Sequence, residues 1–350
     1  MSTGGRSEKR PTVRDLAKHA GVSVATVSRV LNDSYTAPAD TRRKVMDAVQ
    51  RLGYRAPTTR ALTSLTGTVG IGMPYMHSAY FLQAASGIEE QAAAEDVAIL
   101  VGTTGLSHDR ELAFVDVMVQ RGANAVILLG GTVASTEHET ALAERADALM
   151  RDGARLVLCG RPWEGPADAP VWSVYIDSED AAFTATTYLL SCGHRRIGFI
   201  GGPEQHVNFS RREAGYRRAL TKFGVPFDPA LVSSGPIGRE EGVRRGTELL
   251  TGTDVSAIFA INDETAVGVL AAARSLGRRV PQDLSVMGFD DVPIARDLHP
   301  ALTTVHVPQV EIGRLAGRLA LRASAVTAQE RHVRVGTHIV VRDSVDVCRA

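Results

Sequence analysis

Ser23, Val24, Ala25, Thr26, Ser28, Arg29 and Asn32 bring three hydroxyls, an amide and one guanidinium together with small apolar groups in a short stretch of chain. Serine and threonine hydroxyls donate to phosphate oxygens, and an arginine can fork onto a guanine edge. Small outward side chains let a helix bring its backbone close to base edges, where bulky groups would hold it off. That chemistry is the reading of double-stranded DNA, with no covalent step. A second set, Arg212, Asn262 and Asp290, combines a guanidinium, an amide and a carboxylate from distant parts of the chain. Each can form paired hydrogen bonds to adjacent hydroxyls, which suits a hydroxyl-rich ligand such as a sugar. Arg161 is a further candidate of this kind.

The first set needs a one-sided helix. At about 100° per residue, Val24, Val27, Val30 and Leu31 share one arc and Ala25, Ser28, Arg29 and Asn32 another. Ser23 caps this helix, predicted over 24–32. Before it, Thr12 caps a helix over 13–20, with Asp15 in the place of a capping-box acid and Gly21 as its stop. A third helix follows over 39–52, with Val45, Met46, Val49 and Leu52 on one face and Gly53 ending it. Two short helices around the tight Gly21-Val22-Ser23 turn read as a helix-turn-helix. Residues 55–68, RAPTTRALTSLTGT, read as a linker able to hold a short helix.

The second set needs the loops of an α/β body. From Val69 onward, strand-like runs at 69–73, 97–102, 125–130, 155–160, 171–176, 196–201, 257–261 and 285–289 alternate with amphipathic stretches such as 81–95 and 211–223. Short, nearly all-apolar strands separated by helices predict parallel sheets covered on both faces. Ligands in such sheets sit at the carboxyl ends of strands. Asn262 and Asp290 follow strands there, Arg212 opens the helix after 196–201, and Arg161 follows the fourth strand. The Pro- and Gly-rich segment GRPWEGPADA, starting at Gly160, is expected to divide the body into two α/β halves.

Formal net charge is +0, but residues 1–60 hold 12 Lys/Arg against 5 Asp/Glu while the remainder holds 27 against 34. A basic head on an acidic body fits phosphate neutralisation by the head. Three cysteines, Cys159, Cys192 and Cys348, imply neither a disulfide framework nor a metal site, and Cys159 reads as core. No signal-peptide core and no run of about 18 apolar residues occurs, which predicts a soluble cytoplasmic protein without a membrane partner. Gly70-x-Gly72 lacks the third glycine of a dinucleotide loop, and neither a His-Glu-x-x-His motif nor a Gly-x-Ser-x-Gly elbow is present. Catalytic residues, cofactors and metals are therefore not expected. The rival readings are an exported solute-binding receptor, which should carry a signal peptide, and an α/β enzyme with a DNA-binding head, which should carry a nucleophile or an acid/base pair.

The run TVRDLAKHAGVSVATVSRVLN, followed by TRRKVMDAVQRLGY at 41–54, resembles the N-terminal signature of the LacI/GalR family of bacterial transcription regulators. Further runs resemble family landmarks in order: YFLQAASGIEEQA, GHRRIGFIGGP, SRREAGYRRAL, AINDETAVGVL and LSVMGFDDVPIA. The resemblance implies a small all-α helix-turn-helix domain over 1–55 and a hinge over 56–68. An α/β, periplasmic-binding-protein-like body over 69–345 would follow, with two doubly wound parallel-sheet subdomains. The first subdomain would take about 69–162 and 293–325, the second about 163–292 and 326–345. By the same resemblance Val24 and Ala25 contact bases beside Arg29, while Ser23, Thr26 and Ser28 hold phosphates. Leu62 would wedge open a central base step in the minor groove. In the cleft, Arg212, Asn262 and Asp290 would grip the effector, Tyr80 and Phe81 would wall it, and Ile237 stands where some members place an aromatic. One departure lies in the hinge: Gly53-Tyr54 is followed by RAPTTRAL, without the usual Pro-Asn, with Thr59 where alanine is usual, and with a shorter count. The implied function is a repressor that binds a pseudo-palindromic operator as a homodimer, under control of a small-molecule effector of the carbohydrate class.

Overall fold

The computed structural model describes residues 12–31, 38–52, 67–133, 135–321 and 331–348, with the side chains of Ala25, Ser28, Arg29, Leu31 and Ala39 outside that description. Two compact units occur, one within residues 1–65 and one within 66–350.

The first unit holds α1 (Val13–Ala20), α2 (Val24–Leu31) and α3 (Ala39–Leu52). Thr12 and Asp15 form a reciprocal capping box: the Asp15 carboxylate accepts from the Thr12 N–H at 2.7 Å, and the Asp15 N–H donates back to Thr12 Oγ1 at 3.4 Å. Such a cap stabilises a helix by about 1 kcal/mol. Gly21 ends α1 in the left-handed conformation, φ 65°, where a side chain would be strained. Leu16, Ala17 and Ala20 then meet Val27, Val30, Val45 and Ala48 in one buried cluster. Met46, expected on the packed face of α3, is half exposed instead, because Val45 and Ala48 fill the contact.

In chain order the second unit begins with β1 (Gly67–Met73), α4 (Ala79–Ala94), β2 (Val97–Thr103), α5 (His108–Gln120), β3 (Ala125–Leu129), α6 (Thr136–Arg151), β4 (Arg155–Cys159) and β5 (Val171–Ile176). It continues with α7 (Ser178–Ser191), β6 (Ile197–Ile200), α8 (Val207–Lys222), β7 (Val232–Ser233), α9 (Arg239–Gly252), β8 (Ala257–Ala260), α10 (Asp263–Ser275) and β9 (Ser285–Met287). Last come α11 (Ile294–Asp297), β10 (Thr304–His306), α12 (Gln309–Leu321), β11 (His332–Val335) and β12 (His338–Val340). One parallel sheet has the order β11-β5-β4-β3-β1-β2 and a second β7-β6-β8-β9, while β10 and β12 form an antiparallel pair. Strands β3 and β8 are buried along their whole length, as expected where helices cover both faces. α12 lies so close on α4 that a Cβ at Gly87 would fall 2.0 Å from the Val310 carbonyl oxygen.

The two halves of this unit divide differently from the boundaries expected after 162, 292 and 325. β5 pairs in parallel with β4, Leu156 opposite Val171, and β11 pairs in parallel with β5, His332 opposite Ser173. The first half therefore runs through Ile176 and also takes in residues 332–335. The segment starting at Gly160 is a loop inside one sheet, closed on itself by Trp163 Nε1 donating to the Pro166 carbonyl at 3.0 Å. Ala295 and Leu302 are buried with the second half's core, so residues 293–302 belong there. Cys159 is buried on β4, and burial pushes its thiol up to about 12.

Candidate functional site

On α2, Ser23 Oγ accepts from the Thr26 N–H at 3.0 Å and lies 2.8 Å from Thr26 Oγ1. The cap thus orients two hydroxyls at the helix start, beside the positive end of the helix dipole, where phosphate oxygens are favoured. Val24 is 46% exposed although its arc is the apolar one, because the first turn of α2 projects past the core formed by Val27 and Val30. Ala25, Ser28 and Arg29 lie on α2 with their side chains outside the description, and Asn32 and Leu62 fall outside the described residues.

Within the second unit a cavity of about 550 Å³ opens between the two halves. Its lining includes Tyr80, Phe81, Arg212, Ile237, Asn262 and Asp290, so six of the seven residues expected there share one space. Tyr80 and Phe81 come from the first turn of α4 and meet edge to face, ring centroids 5.3 Å apart. Phe81 lies against Gly130, where a Cβ would fall 2.8 Å from its ring and the backbone has φ 82°. Arg212 does not open its helix as expected: α8 begins at Val207, and Arg212 projects from its second turn. Asn262 caps α10, its Oδ1 accepting from the Thr265 N–H at 2.9 Å. Among the described residues its amide NH₂ makes no hydrogen bond, which leaves it as a donor for a ligand.

Arg212 and Asp290 form the polar floor. Arg212 Nη2 donates to Asp290 Oδ1 at 3.4 Å, its Nη1 donates to the Ile261 carbonyl at 2.5 Å, and its guanidinium stacks 3.6 Å from the Phe289 ring centroid. Burial pushes the Asp290 carboxyl up to about 6, although Arg212 beside it pulls the other way. Asp290 has φ 105°, a strained backbone for a side-chain-bearing residue. It is held there by its N–H donating to Val305 at 2.9 Å and by Gln309 Nε2 donating to its carbonyl. Burial also raises the Tyr80 phenol above its ordinary value, so this hydroxyl stays neutral.

Arg161 lies elsewhere. It is 1% exposed, outside the cavity lining, and its guanidinium grips Glu111 from α5, Nη2 to Oε1 at 2.5 Å and Nη1 to Oε2 at 3.2 Å. His138 Nε2 sits 3.0 Å from the same carboxylate, and the ring of His138 stacks on His108 at 4.0 Å. Although burial opposes its charge, Arg161 and His138 hold the Glu111 carboxyl down at about 2. A charge that looks available after a strand is thus spent inside the protein.

Several lining residues were not signalled by the motifs. Tyr75, His77 and Ser78 contribute from the segment between β1 and α4, and His206, Asn208 and Phe209 from the start of α8. Arg239 and Glu264 come from the first turns of α9 and α10. Phe209 stands three residues before Arg212, so helical spacing from an expected residue was the available signal there, while Glu264, two after Asn262, had no such signal. Asn208 also ties the halves together, its Nδ2 donating to the Gly160 carbonyl at 2.9 Å, while the Val207 N–H donates to the Thr132 carbonyl at 3.0 Å. Burial, with Arg212 near by, lowers the neighbouring His206 to about 4. Among the described residues no group of His, Cys, Asp and Glu could hold a metal ion, and no helix is long and apolar enough to cross a membrane.

Comparison with known proteins agrees with both parts. Residues 12–56 match the model of bacterial regulatory proteins of the lacI family, and residues 186–345 match that of a periplasmic binding protein-like domain. The chain is similar to catabolite control protein A of Priestia megaterium, 34% identical over 312 residues that cover 88% of this chain and 91% of the relative. It is likewise similar to the HTH-type transcriptional repressor CytR of Escherichia coli K12, 31% identical over 338 residues that cover 96% of this chain and 95% of that one. Among solved structures, a complex of the transcriptional regulator CelR with cellobiose superposes with a TM-score of 0.67 at 30% identity, covering 96% of this chain and 100% of that one. A helix-turn-helix head, a two-sheet body with a cleft and relatives matched over nearly their whole length place the chain in the LacI family of bacterial regulatory proteins, as a DNA-binding regulator of transcription and not an enzyme.

Proposed function

We propose that the chain is an effector-controlled repressor, acting as a homodimer on a pseudo-palindromic operator, with a sugar or sugar derivative bound between the halves of its body. The observation that carries the effector reading is the convergence of Arg212, Asn262 and Asp290 in one cavity with aromatic walls. A guanidinium, an amide and a carboxylate supply donors and acceptors for neighbouring hydroxyls, while Tyr80, Phe81 and Phe209 offer faces for the apolar side of a sugar ring. A relative matched over 95% of its length is named a repressor, and another is solved with cellobiose, which supports both parts of the reading.

On DNA, Ser23, Thr26 and Ser28 would hold phosphates and Arg29 a guanine, with Val24, Ala25 and Asn32 along the groove and Leu62 at the minor-groove centre. A two-fold dimer presents two such helices, hence a pseudo-palindromic site. Effector binding would favour one arrangement of the two halves and shift operator affinity by its differential affinity for that arrangement. Gel-shift titration of the full chain at two salt concentrations, against operators selected from random DNA, tests this reading. Selection of a palindrome, a steep salt slope and a change of affinity with a sugar are the expected results. Selection of no common sequence in any effector state overturns it.

A further inference from the structure

The cavity has a second group of polar side chains that the floor of Arg212, Asn262 and Asp290 does not employ. Arg239 is the first residue of α9 and Glu264 lies in the first turn of α10. The two helix starts are locked side by side: the Gly238 N–H donates to Thr265 Oγ1 at 3.2 Å. A Cβ at Gly268 would fall 2.1 Å from the Arg239 carbonyl oxygen, and one at Gly242 would fall 2.2 Å from that of Thr265. No larger side chain fits between these helices, so the helix starts that carry Arg239 and Glu264 are held side by side. Both line the cavity, Arg239 exposed and Glu264 half-buried. Neither makes an ion pair or a side-chain hydrogen bond with another described residue, whereas Arg244 on the same helix as Arg239 pairs with Glu241 and Glu248. The first half contributes Tyr75 and His77 to the same cavity, rings tilted against each other at 5.4 Å, and Ser78, whose hydroxyl makes no cap hydrogen bond.

Resting on the cleft reading above, we propose that Arg239 and Glu264 form an outer subsite for a second sugar ring, so that the effector is a neutral disaccharide. The inner trio is enough to hold one ring, and a single pyranose leaves much of 550 Å³ unfilled. A guanidinium and a carboxylate from two abutting helix starts offer a donor and an acceptor to the hydroxyls of one ring, repeating the chemistry of the floor. A phosphate would meet one arginine with a carboxylate beside it, a poor anion site. The charges of the lining also balance, Arg212 and Arg239 against Asp290 and Glu264, which disfavours a charged ligand.

Titration calorimetry on the full chain tests the subsite with cellobiose, maltose, lactose, sucrose and trehalose, with their component monosaccharides, and with glucose 6-phosphate and cytidine. One disaccharide should bind about tenfold or more tighter than either of its component sugars, the loss expected for one or two hydrogen bonds. Arg239→Ala and Glu264→Gln should each cut that ratio by about tenfold. Binding of no disaccharide, tighter binding of a monosaccharide, the phosphate or the nucleoside, or an unchanged ratio in both rim variants overturns the subsite. Asp290→Asn separates the two readings. If it abolishes binding while the rim variants leave the ratio unchanged, only the outer subsite falls; if the tightest ligand binds Asp290→Asn unchanged, the cleft reading falls with it.

Discussion

Arg212 and Asp290 face each other at 3.4 Å in a buried floor, the one stacked on Phe289 and the other held at φ 105°. At that distance the pair is loose by the standard of charge-assisted hydrogen bonds, which run near 2.8 Å. A ligand hydroxyl can therefore bridge both groups without first breaking a tight ion pair. Because burial raises Asp290 to about 6, a folded chain without ligand takes up a proton there more readily than an ordinary aspartate does. Its ionised form must be present for it to accept from the ligand. Effector affinity should thus be level above pH 7 and fall by up to about tenfold per pH unit below 6. Calorimetry at pH 7.5, 6 and 5 reads this, and Asp290→Asn should remove the pH dependence along with most of the affinity.

Arg29→Ala should relax sequence preference on DNA by about 1–3 kcal/mol at the base it contacts, while phosphate-dependent, non-specific binding stays. Asp290→Ala should show the converse, with operator binding intact and the effector response lost. Gel shifts on selected and scrambled operators, with and without effector, measure both.

Glu111→Ala leaves Arg161 buried without its counter-charge and should destabilise the body by about 3–5 kcal/mol, measured by urea unfolding. The pH dependence has a definite sign. Glu111 is held at about 2 against an ordinary 4.5, so its contribution is fully present above the ordinary value and is lost as pH falls through 2. The gap between the native chain and Glu111→Ala should narrow across that window.

Asn208→Ala removes the 2.9 Å hydrogen bond to Gly160 that joins the halves beside the cavity. Effector affinity should fall about fivefold, on the order of 1 kcal/mol, as the closed arrangement is depopulated. Operator binding without effector supplies the control. An affinity equal to that of the native chain would show that this contact does not hold the cleft.

The head was legible because its signals are local. Thr12, Asp15 and Gly21 define α1 within a single turn of chain, and the structure reproduces the expected limits of α1 and α3. The body's strands were legible where they are buried on both faces, as β3 and β8 are. β11 was not, since His332 to Val335 alternate exposed and half-buried positions at a sheet edge and offer no apolar run. Arg161 shows the limit for sites. Its place after a strand resembles that of Asp290, and only Glu111, fifty positions away, determines that it turns inward. Arg239 and Glu264 were missed because their neighbourhood arises from the packing of Gly242 and Gly268, which no motif records.

β11 returning to β5 has a consequence for exchanging parts between relatives. The second half is not a continuous cassette: a cut at residue 163 would strip β5 from the middle of the first sheet, between β4 and β11. A chimaera meant to transplant ligand specificity should instead join at Asp177 and after Val307, so that β10 stays with its partner β12, and should carry residues 338–348 with the donor's second half. Those residues seal the graft, since the Ser344 carbonyl accepts from the Val286 N–H at 2.8 Å and the Cys348 N–H donates to the Cys192 carbonyl at 2.8 Å. Grafts joined there keep every ladder of both sheets within one parent, whereas grafts joined at the glycine- and proline-rich loop would have to rebuild one.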